Sequence, residues 1–213
     1  MAVFEKGILG GFSGKVGNVV GARWRGKNIM RSLPQRGNYV PTEEQLIQRE
    51  KFSAVIKFLT PLKPIVGKYF GQKQGHKSIY NLATSYHLRE ALVDDGGVYR
   101  IDYPKVLISK GELRGLMDPA VAMAAGQVLE LAWSDNSGQG YAHDNDQLIV
   151  VVFSPDADLY QLSIAIGRRD LAGTSIALPA YMAGLDIQVW ATFATANGKV
   201  AAISMYLGEH TVS

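Results

Sequence analysis

Residues 186–199, DIQVWATFATANGK, carry the pattern that decides the fold of the second half of the chain. A short run rich in β-branched and aromatic residues ends at Asn197-Gly198, a dipeptide typical of tight turns. This pattern predicts a strand over residues 186–195 that is closed by a turn.

Similar short runs, separated by Gly, Pro, Asn and Asp, extend from this strand in both directions along the chain. Their regular spacing is typical of an antiparallel sandwich. The predicted strands cover residues 99–109, 128–133, 147–153, 160–168, 175–178, 186–195 and 199–207, and residues 134–146 form a loop.

Composition indicates a folded protein without disulfides. The chain has 213 residues, 47% of them hydrophobic, and no cysteine. No apolar run reaches the ~20 residues that a membrane-spanning helix needs. The opening residues also lack the continuous apolar region of a secretory signal, so a cytoplasmic location is the default expectation.

The two halves of the chain have opposite charge. Residues 1–93 contain 15 lysines and arginines and 5 acids, a net charge of +10, whereas residues 94–213 contain 7 and 14, a net charge of −7. Such an asymmetry restricts the surfaces that each half can contact.

The first half combines a Gly-rich opening, a β-hairpin and two helices. Two apolar runs, 19–24 and 28–33, flank Arg25-Gly26-Lys27 and predict the hairpin.

The first helix should begin after Thr42, which forms a capping box with Gln45. Its predicted apolar face consists of Phe52, Val55, Ile56 and Leu59, and Pro61 and Pro64 should interrupt it. A second helix fits residues 78–92, with Ser78 as its cap and an apolar face of Ile79, Leu82, Ala83 and Tyr86, and a turn follows at residues 94–97.

The hairpin carries the candidate interaction residues Lys15, Arg23, Trp24, Arg25, Lys27 and Arg31, with Arg36 close by. Strict alternation would put Arg23 and Arg25 on one face and Trp24 on the other. Three interpretations remain open: a nucleic-acid site in which Trp24 stacks on a base, a structural role in which Trp24 anchors the hairpin on the helices, or docking on an acidic protein surface.

No motif predicts an enzyme, a cofactor or a metal site. The run Gly10-Gly11-Phe12-Ser13-Gly14-Lys15-Val16 resembles a phosphate loop, but Leu9 replaces the first glycine and Val16 replaces the magnesium-binding Ser or Thr. The four histidines lack metal-ligand spacing. The cluster from His143 to Asp146 lacks the glycine and distant glutamate of a calcium loop, so we interpret it as a solvated loop.

Two family resemblances follow from these segments. Trp133-Ser134, residues 147–153, the segment Ile176 to Pro179, residues 184–193 and Asn197-Gly198-Lys199 resemble a fibronectin type III sandwich, with Ile187 at the position of a usual tyrosine. The opening GILGGFSGKVG (residues 7–17), Pro41-Thr42-x-x-Gln45-x-x-x-Arg49, VLISKG (106–111) and Tyr206-Leu207-Gly208 resemble an uncharacterised family of Bacteroidetes proteins. That resemblance implies a bacterial origin and a two-part layout, and no activity.

We therefore expect an α+β, mainly β protein with a hairpin and a helical pair before an Ig-like antiparallel sandwich. The predicted regions are a basic Gly-rich part (1–97), a connecting strand region (98–117) and a sandwich (118–213). The predicted function is that of a structural or interaction protein whose partner is itself, assembled head to tail, or another protein. Nucleic-acid binding through the hairpin is the alternative, and an enzyme of unknown type is a weaker one.

Overall fold

The computed structural model describes residues 2–4, 12–34, 37 and 40–213. The chain forms two compact units, Met1–Leu46 and Ile47–Ser213. The division therefore falls within the first helix of the chain.

The first unit contains an antiparallel sheet of four strands: β1 (Ala2–Phe4), β2 (Gly14–Val16), β3 (Val19–Trp24) and β4 (Lys27–Ser32), in the order β1-β4-β3-β2. The predicted hairpin is thus the centre of a larger sheet. Gly21 of β3 lies directly under the ring of Phe12, so close that a Cβ atom would lie 2.5 Å from it. One glycine of the Gly-rich opening is therefore required by close approach.

The helical region contains three helices where the sequence predicted two: α1 (Glu43–Leu59), α2 (Lys63–Tyr69) and α3 (Ile79–Glu90). Both predicted caps form. The Thr42 and Gln45 side chains each accept a hydrogen bond from the other residue's backbone N–H, at 3.4 and 3.3 Å, and Asn81 N–H donates to Ser78 Oγ at 3.2 Å. The helix break at Pro61 is also confirmed, and Pro64 lies in the first turn of α2, where a missing N–H costs little.

The predicted apolar face of α1 is shifted. Phe52 is 49% exposed, whereas Phe58 is buried together with Val55 and Leu59. All four positions fit one helical stripe within the tolerance of the period, so only the neighbouring elements determine which aromatic ring is covered.

A short hairpin follows the helices: β5 (Leu92–Asp95) and β6 (Val98–Ile101). The predicted turn at 94–97 is its tip, where Gly97 N–H donates to the Asp94 carboxylate at 2.8 Å. The strand predicted over 99–109 is wrong beyond Ile101, because Pro104 lies in a 3₁₀ turn, Tyr103–Lys105, that ends the pairing.

The sandwich has seven strands: β7 (Met117–Ala124), β8 (Val128–Ser134), β9 (Gln147–Ser154), β10 (Leu159–Arg168), β11 (Gly173–Ala177), β12 (Asp186–Ala194) and β13 (Met205–Thr211). One sheet has the order β10-β9-β12-β13 and the other β11-β8-β7, and all pairs are antiparallel. The predicted fold class, α+β and mainly β with an antiparallel sandwich, is confirmed.

Strand positions agree with the sequence analysis except at the two ends of the sandwich. β7 was missed, because Asp118 and Pro119 interrupt its pattern and its register shifts between Met117 and Ala120. The last strand was placed too early: it begins at Met205, and Ala201 and Ala202 form only isolated bridges.

Two hydrophobic cores flank the four-stranded sheet of the sandwich, β10-β9-β12-β13. Leu148, Val150 and Val152 of β9 face the second sheet, where they pack with Trp133 and Phe193. The alternate residues Ile149, Val151 and Phe153 face the other way and pack with the helices, together with Trp190. Both faces of β9 are therefore buried, which explains its continuous apolar sequence.

The helical layer is held to this outer face by an aromatic cluster. The ring of Phe58 lies 5.5 Å from Phe153 and 6.2 Å from Trp190, both edge to face. Tyr160 Oη–H donates to the Phe58 carbonyl at 3.3 Å, and Trp190 Nε1–H donates to the Tyr103 carbonyl at 3.2 Å. The predicted region limits at 97 and 117 thus lie inside the second compact unit.

No helix in the described ranges is both long and apolar enough to cross a membrane.

Candidate functional site

The candidate site is built on a two-residue turn in the first unit. Trp24 pairs with Lys27, which leaves Arg25 (φ 50°) and Gly26 (φ 78°) as the turn. Two successive positive φ values define a type I′ turn, whose twist matches that of the flanking strands. The Arg25 side chain therefore projects from the tip of the hairpin.

The strand register determines which candidate residues share a face. Lys15 pairs with Val20, Val20 with Arg31, and Trp24 with Lys27, so these residues and the alternate ones between them lie on one face. Lys15, Trp24, Lys27 and Arg31 are brought together in this way. Arg23 pairs with Asn28 and lies on the opposite face.

Arg25 joins the face of Trp24, contrary to the sequence prediction. Its guanidinium carbon lies 4.4 Å from the centroid of the Trp24 ring, in the geometry of a cation–π contact. Strict alternation fails here because Arg25 belongs to the turn and not to a strand. We name Lys15, Trp24, Arg25, Lys27 and Arg31 the basic face.

The five side chains of the basic face are exposed, whereas Ile29, which lies between Lys27 and Arg31 on the same sheet face, is buried. Lys15, Arg25, Lys27 and Arg31 are exposed, and Trp24 is 50% exposed. The anchoring of the hairpin on the helices through Trp24 stays a prediction. Residues 12–34 contain five cations and no acid, so no ion pair within this segment neutralises them. Arg36 lies outside the described residues.

The sequence resembling a phosphate loop adopts a different structure. Its last residues, Gly14 to Val16, form strand β2, whereas a phosphate loop leads into a helix. Gly10 and Gly11 lie outside the described residues.

The loop before β9 holds a buried ion pair that the sequence analysis missed. Asp146 and Arg169 are both buried. The Asp146 carboxylate accepts a hydrogen bond from Arg169 Nε at 3.1 Å and forms an ion pair with Arg169 Nη2, also at 3.1 Å. Arg169 also donates to the side chain of Asn136 and to the Arg114 carbonyl, and its guanidinium carbon lies 4.1 Å from the Phe193 centroid. Burial lowers the pKa of Arg169, and the Asp146 carboxylate opposes that shift.

This arrangement corrects the interpretation of residues 143–146 as a solvated loop. His143, Asp144 and Asn145 are exposed, but Asp146 ties the loop to the segment after β10. Trp133 Nε1–H donates to the Arg169 carbonyl at 2.8 Å and extends the network. Within the described residues, no group of three or more metal-ligating side chains occurs.

These features define the class: a mainly β protein with a seven-stranded antiparallel sandwich, a helical layer on one sheet and a separate basic sheet. The chain belongs to a family of unknown function, DUF6266, whose model matches residues 11–208. The predicted bacterial origin stays a prediction.

One solved structure similar to the chain is the solution structure of the fn3 domain of the human collagen alpha-1(XX) chain. The two are 13% identical, with a TM-score of 0.34, over 49% of this chain and 89% of that chain. No match was found among the curated proteins.

Proposed function

We propose that the protein is a non-enzymatic interaction protein that associates head to tail, the basic face of one copy contacting the acidic sandwich of the next. The observation that carries this proposal is the basic face itself: four exposed cations around a half-exposed tryptophan, on a segment without acids. Such a surface favours an anionic partner.

The sandwich offers a complementary surface. Six of its exposed acids form no ion pair with a described residue: Asp118, Glu130, Asp135, Asp156, Asp186 and Glu209. A two-fold dimer would bring like patch to like patch, whereas a heterologous contact pairs opposite charges and builds rings or filaments. Charge thus favours the head-to-tail arrangement.

Charge alone would not supply the affinity. An exposed ion pair contributes only about 0–1 kcal/mol, so the charges would set orientation. The edge strand β2, whose three residues are all exposed, offers backbone groups for strand addition, and Trp24 offers aromatic surface.

The experiment is light scattering after size exclusion, at low and high salt and high protein concentration. The full chain should be larger than a monomer at low salt and dissociate at high salt. A variant with Lys15, Lys27 and Arg31 changed to Glu should stay monomeric. A matched variant with Lys63, Lys73 and Lys77 changed to Glu removes the same charge elsewhere and should still associate. A full chain that is monomeric at low salt contradicts the proposal.

A second candidate function, nucleic-acid binding, is favoured by one observation: Trp24 is half exposed and lies among cations on one sheet face. Aromatic rings beside a basic track can stack on bases of single strands. Four phosphate contacts, one for each cation of the basic face, would give a slope of log K against log salt near −3.6 on duplex DNA.

Fluorescence anisotropy with labelled single and double strands separates this candidate from self-association. Binding that the Lys15, Lys27 and Arg31 variant loses would favour it. Binding weaker than about 10⁻⁴ M at low salt would exclude it.

A further inference from the structure

A cleft in the second unit has the size and chemistry of a small-molecule site. Its volume is about 570 Å³, and its walls come from the end of α2, one side of α3, residues 110–112 and residues 199–203. Volumes of about 300–1,000 Å³ are typical of ligand sites.

Backbone hydrogen bonds fix the walls of this cleft to one another. Lys110 N–H donates to the Tyr69 carbonyl at 2.9 Å, and Gly71 N–H donates back to the Lys110 carbonyl at 2.6 Å. Leu113 N–H donates to the Ala201 carbonyl at 3.3 Å on the other side of the same segment. These bonds therefore join three of the wall segments, which are far apart in sequence.

Four cations line the cleft against one acid. Lys68, Arg89, Lys110 and Lys199 surround it, and Glu112 is the single acid among its lining residues. All four cations are exposed, and none forms an ion pair with a described residue. A concave surface that concentrates unpaired charge of one sign attracts ions of the other sign.

Aromatic and aliphatic side chains lie between these cations. Lys68 Nζ is 4.8 Å from the Tyr69 ring centroid, and Lys110 Nζ is 5.8 Å from that of Tyr86. Leu82, Val200 and Ile203 add apolar surface, and Val200 and Ile203 are exposed despite their size. The cleft thus offers both charge and apolar contact.

We propose that this cleft binds a small organic anion that carries two or more negative charges on an apolar or aromatic body. The cations neutralise the anionic group, and Tyr86, Leu82 and Ile203 cover the body. The lining of this cleft includes no residue of the basic face, so its occupancy and the proposed self-association can fail independently.

Isothermal titration calorimetry with three probes tests the proposal on the full chain. 1-Naphthyl phosphate has both the anionic group and the ring, inorganic phosphate has only the anion, and 1-naphthol has only the ring. We expect 1-naphthyl phosphate to bind with a Kd below about 1 mM, at least tenfold tighter than either of the others, and to weaken as salt is raised.

Charge-removing variants locate the binding. The double variant Lys110→Gln with Lys199→Gln should weaken the binding of 1-naphthyl phosphate at least tenfold. Lys63→Gln with Lys77→Gln removes the same charge from exposed positions outside the cleft and should leave binding unchanged. All four side chains are exposed, and circular dichroism confirms that each variant is folded. Unchanged binding in the cleft variant, equal binding of 1-naphthol, or no binding at 1 mM would overturn the proposal.

Discussion

His87 of α3 couples protonation to folding at the scale of a single residue. It is fully buried, its Nδ1–H donates to the Ala83 carbonyl at 2.8 Å, and its ring packs against Phe70 and Tyr86. Its Nε2 has no hydrogen-bond partner among the described residues. Burial lowers the pKa of His87 because the charged ring would lose its hydration, so the folded protein holds it neutral.

This lowered pKa predicts a loss of stability in mild acid. Above about pH 6.5, the ordinary histidine pKa, both the folded and unfolded chains hold the ring neutral. Below it, the unfolded chain takes up a proton that the folded chain does not. The free energy of unfolding therefore decreases as the pH is lowered. The melting temperature measured by circular dichroism from pH 8 to pH 5 should therefore fall less in His87→Leu than in the natural chain.

The exposed His76 supplies the control for this measurement. His76→Ala should keep the pH dependence of the natural chain. The prediction is wrong if His87→Leu and the natural chain have the same slope of melting temperature against pH, whatever their absolute stabilities.

Contacts between residues that are close in sequence were predictable, and contacts between residues that are distant in sequence were not. The Thr42–Gln45 and Ser78 caps join residues three apart, so the sequence alone contains both partners. Arg169 and Asp146 are 23 residues apart and meet only when β9 and β10 pair. The choice of Phe58 over Phe52 likewise depends on contacts with other elements.

At the scale of elements, the connecting segment, residues 106–113, joins the helices to the sandwich. Ser109 Oγ–H lies 2.8 Å from both Thr192 Oγ1 and the Ala202 carbonyl, and Ile108 N–H donates to Ser204 Oγ at 2.9 Å. The sequence predicted a strand over residues 99–109, within a connecting strand region of residues 98–117. In the structure the segment forms only isolated bridges, Lys110 with Phe70 on one side and Leu113 with Ala202 on the other. No sequence periodicity indicates such bridges.

Gly111 of the connecting segment should be intolerant of substitution. A Cβ atom there would overlap the carbonyl oxygen of Ala201 and lie 3.1 Å from its carbonyl carbon. Because both groups are backbone, the segment would have to move. Gly111→Ala should therefore lower the free energy of unfolding by about 1–3 kcal/mol, the usual cost of overpacking, which urea denaturation measures.

Gly115 is the matched control. A Cβ atom at Gly115 would lie 3.6 Å from the Ile203 carbonyl oxygen, an ordinary contact. Gly115→Ala should change the free energy of unfolding by less than Gly111→Ala. Equal stability of the two variants would show that the connecting segment moves away from Ala201 without cost.

At the scale of the whole molecule, the sequence patterns predicted the fold class and the positions of most strands. The number of layers that pack on one another was not predictable from the sequence. The candidate residues Lys15, Trp24, Lys27 and Arg31 do share a face, and the register that shows this depends on a type I′ turn at Arg25-Gly26. The helical layer that covers β9 and β12 was not predicted. A strand buried on both faces and a strand at the edge of a sandwich can have the same apolar sequence, so the sequence does not distinguish them.

This helical layer determines which fragment of the chain is stable. The sequence predicts that residues 118–213 fold alone. In the structure, the outer face of their four-stranded sheet, with Val151, Phe153 and Trp190, is covered by helices α1 and α2. Two aromatic side chains of this kind bury about 300–500 Å² together. Removing the helices would uncover the part of the Phe153 and Trp190 surface that Phe58 covers, and exposed apolar surface of this kind promotes aggregation.

We therefore expect a fragment of residues 40–213, which keeps the Thr42 cap and all three helices, to unfold in one cooperative transition with the melting temperature of the second unit in the full chain. The fragment 118–213 should aggregate, or should bind a hydrophobic dye and melt without cooperativity, because the packing partners of Phe153 and Trp190 are missing. Differential scanning calorimetry and light scattering of both fragments measure this difference. If residues 118–213 are monomeric and melt cooperatively at the same temperature as residues 40–213, the helices contribute nothing to the stability of the sandwich, and the aromatic cluster around Phe58 does not hold the two layers together.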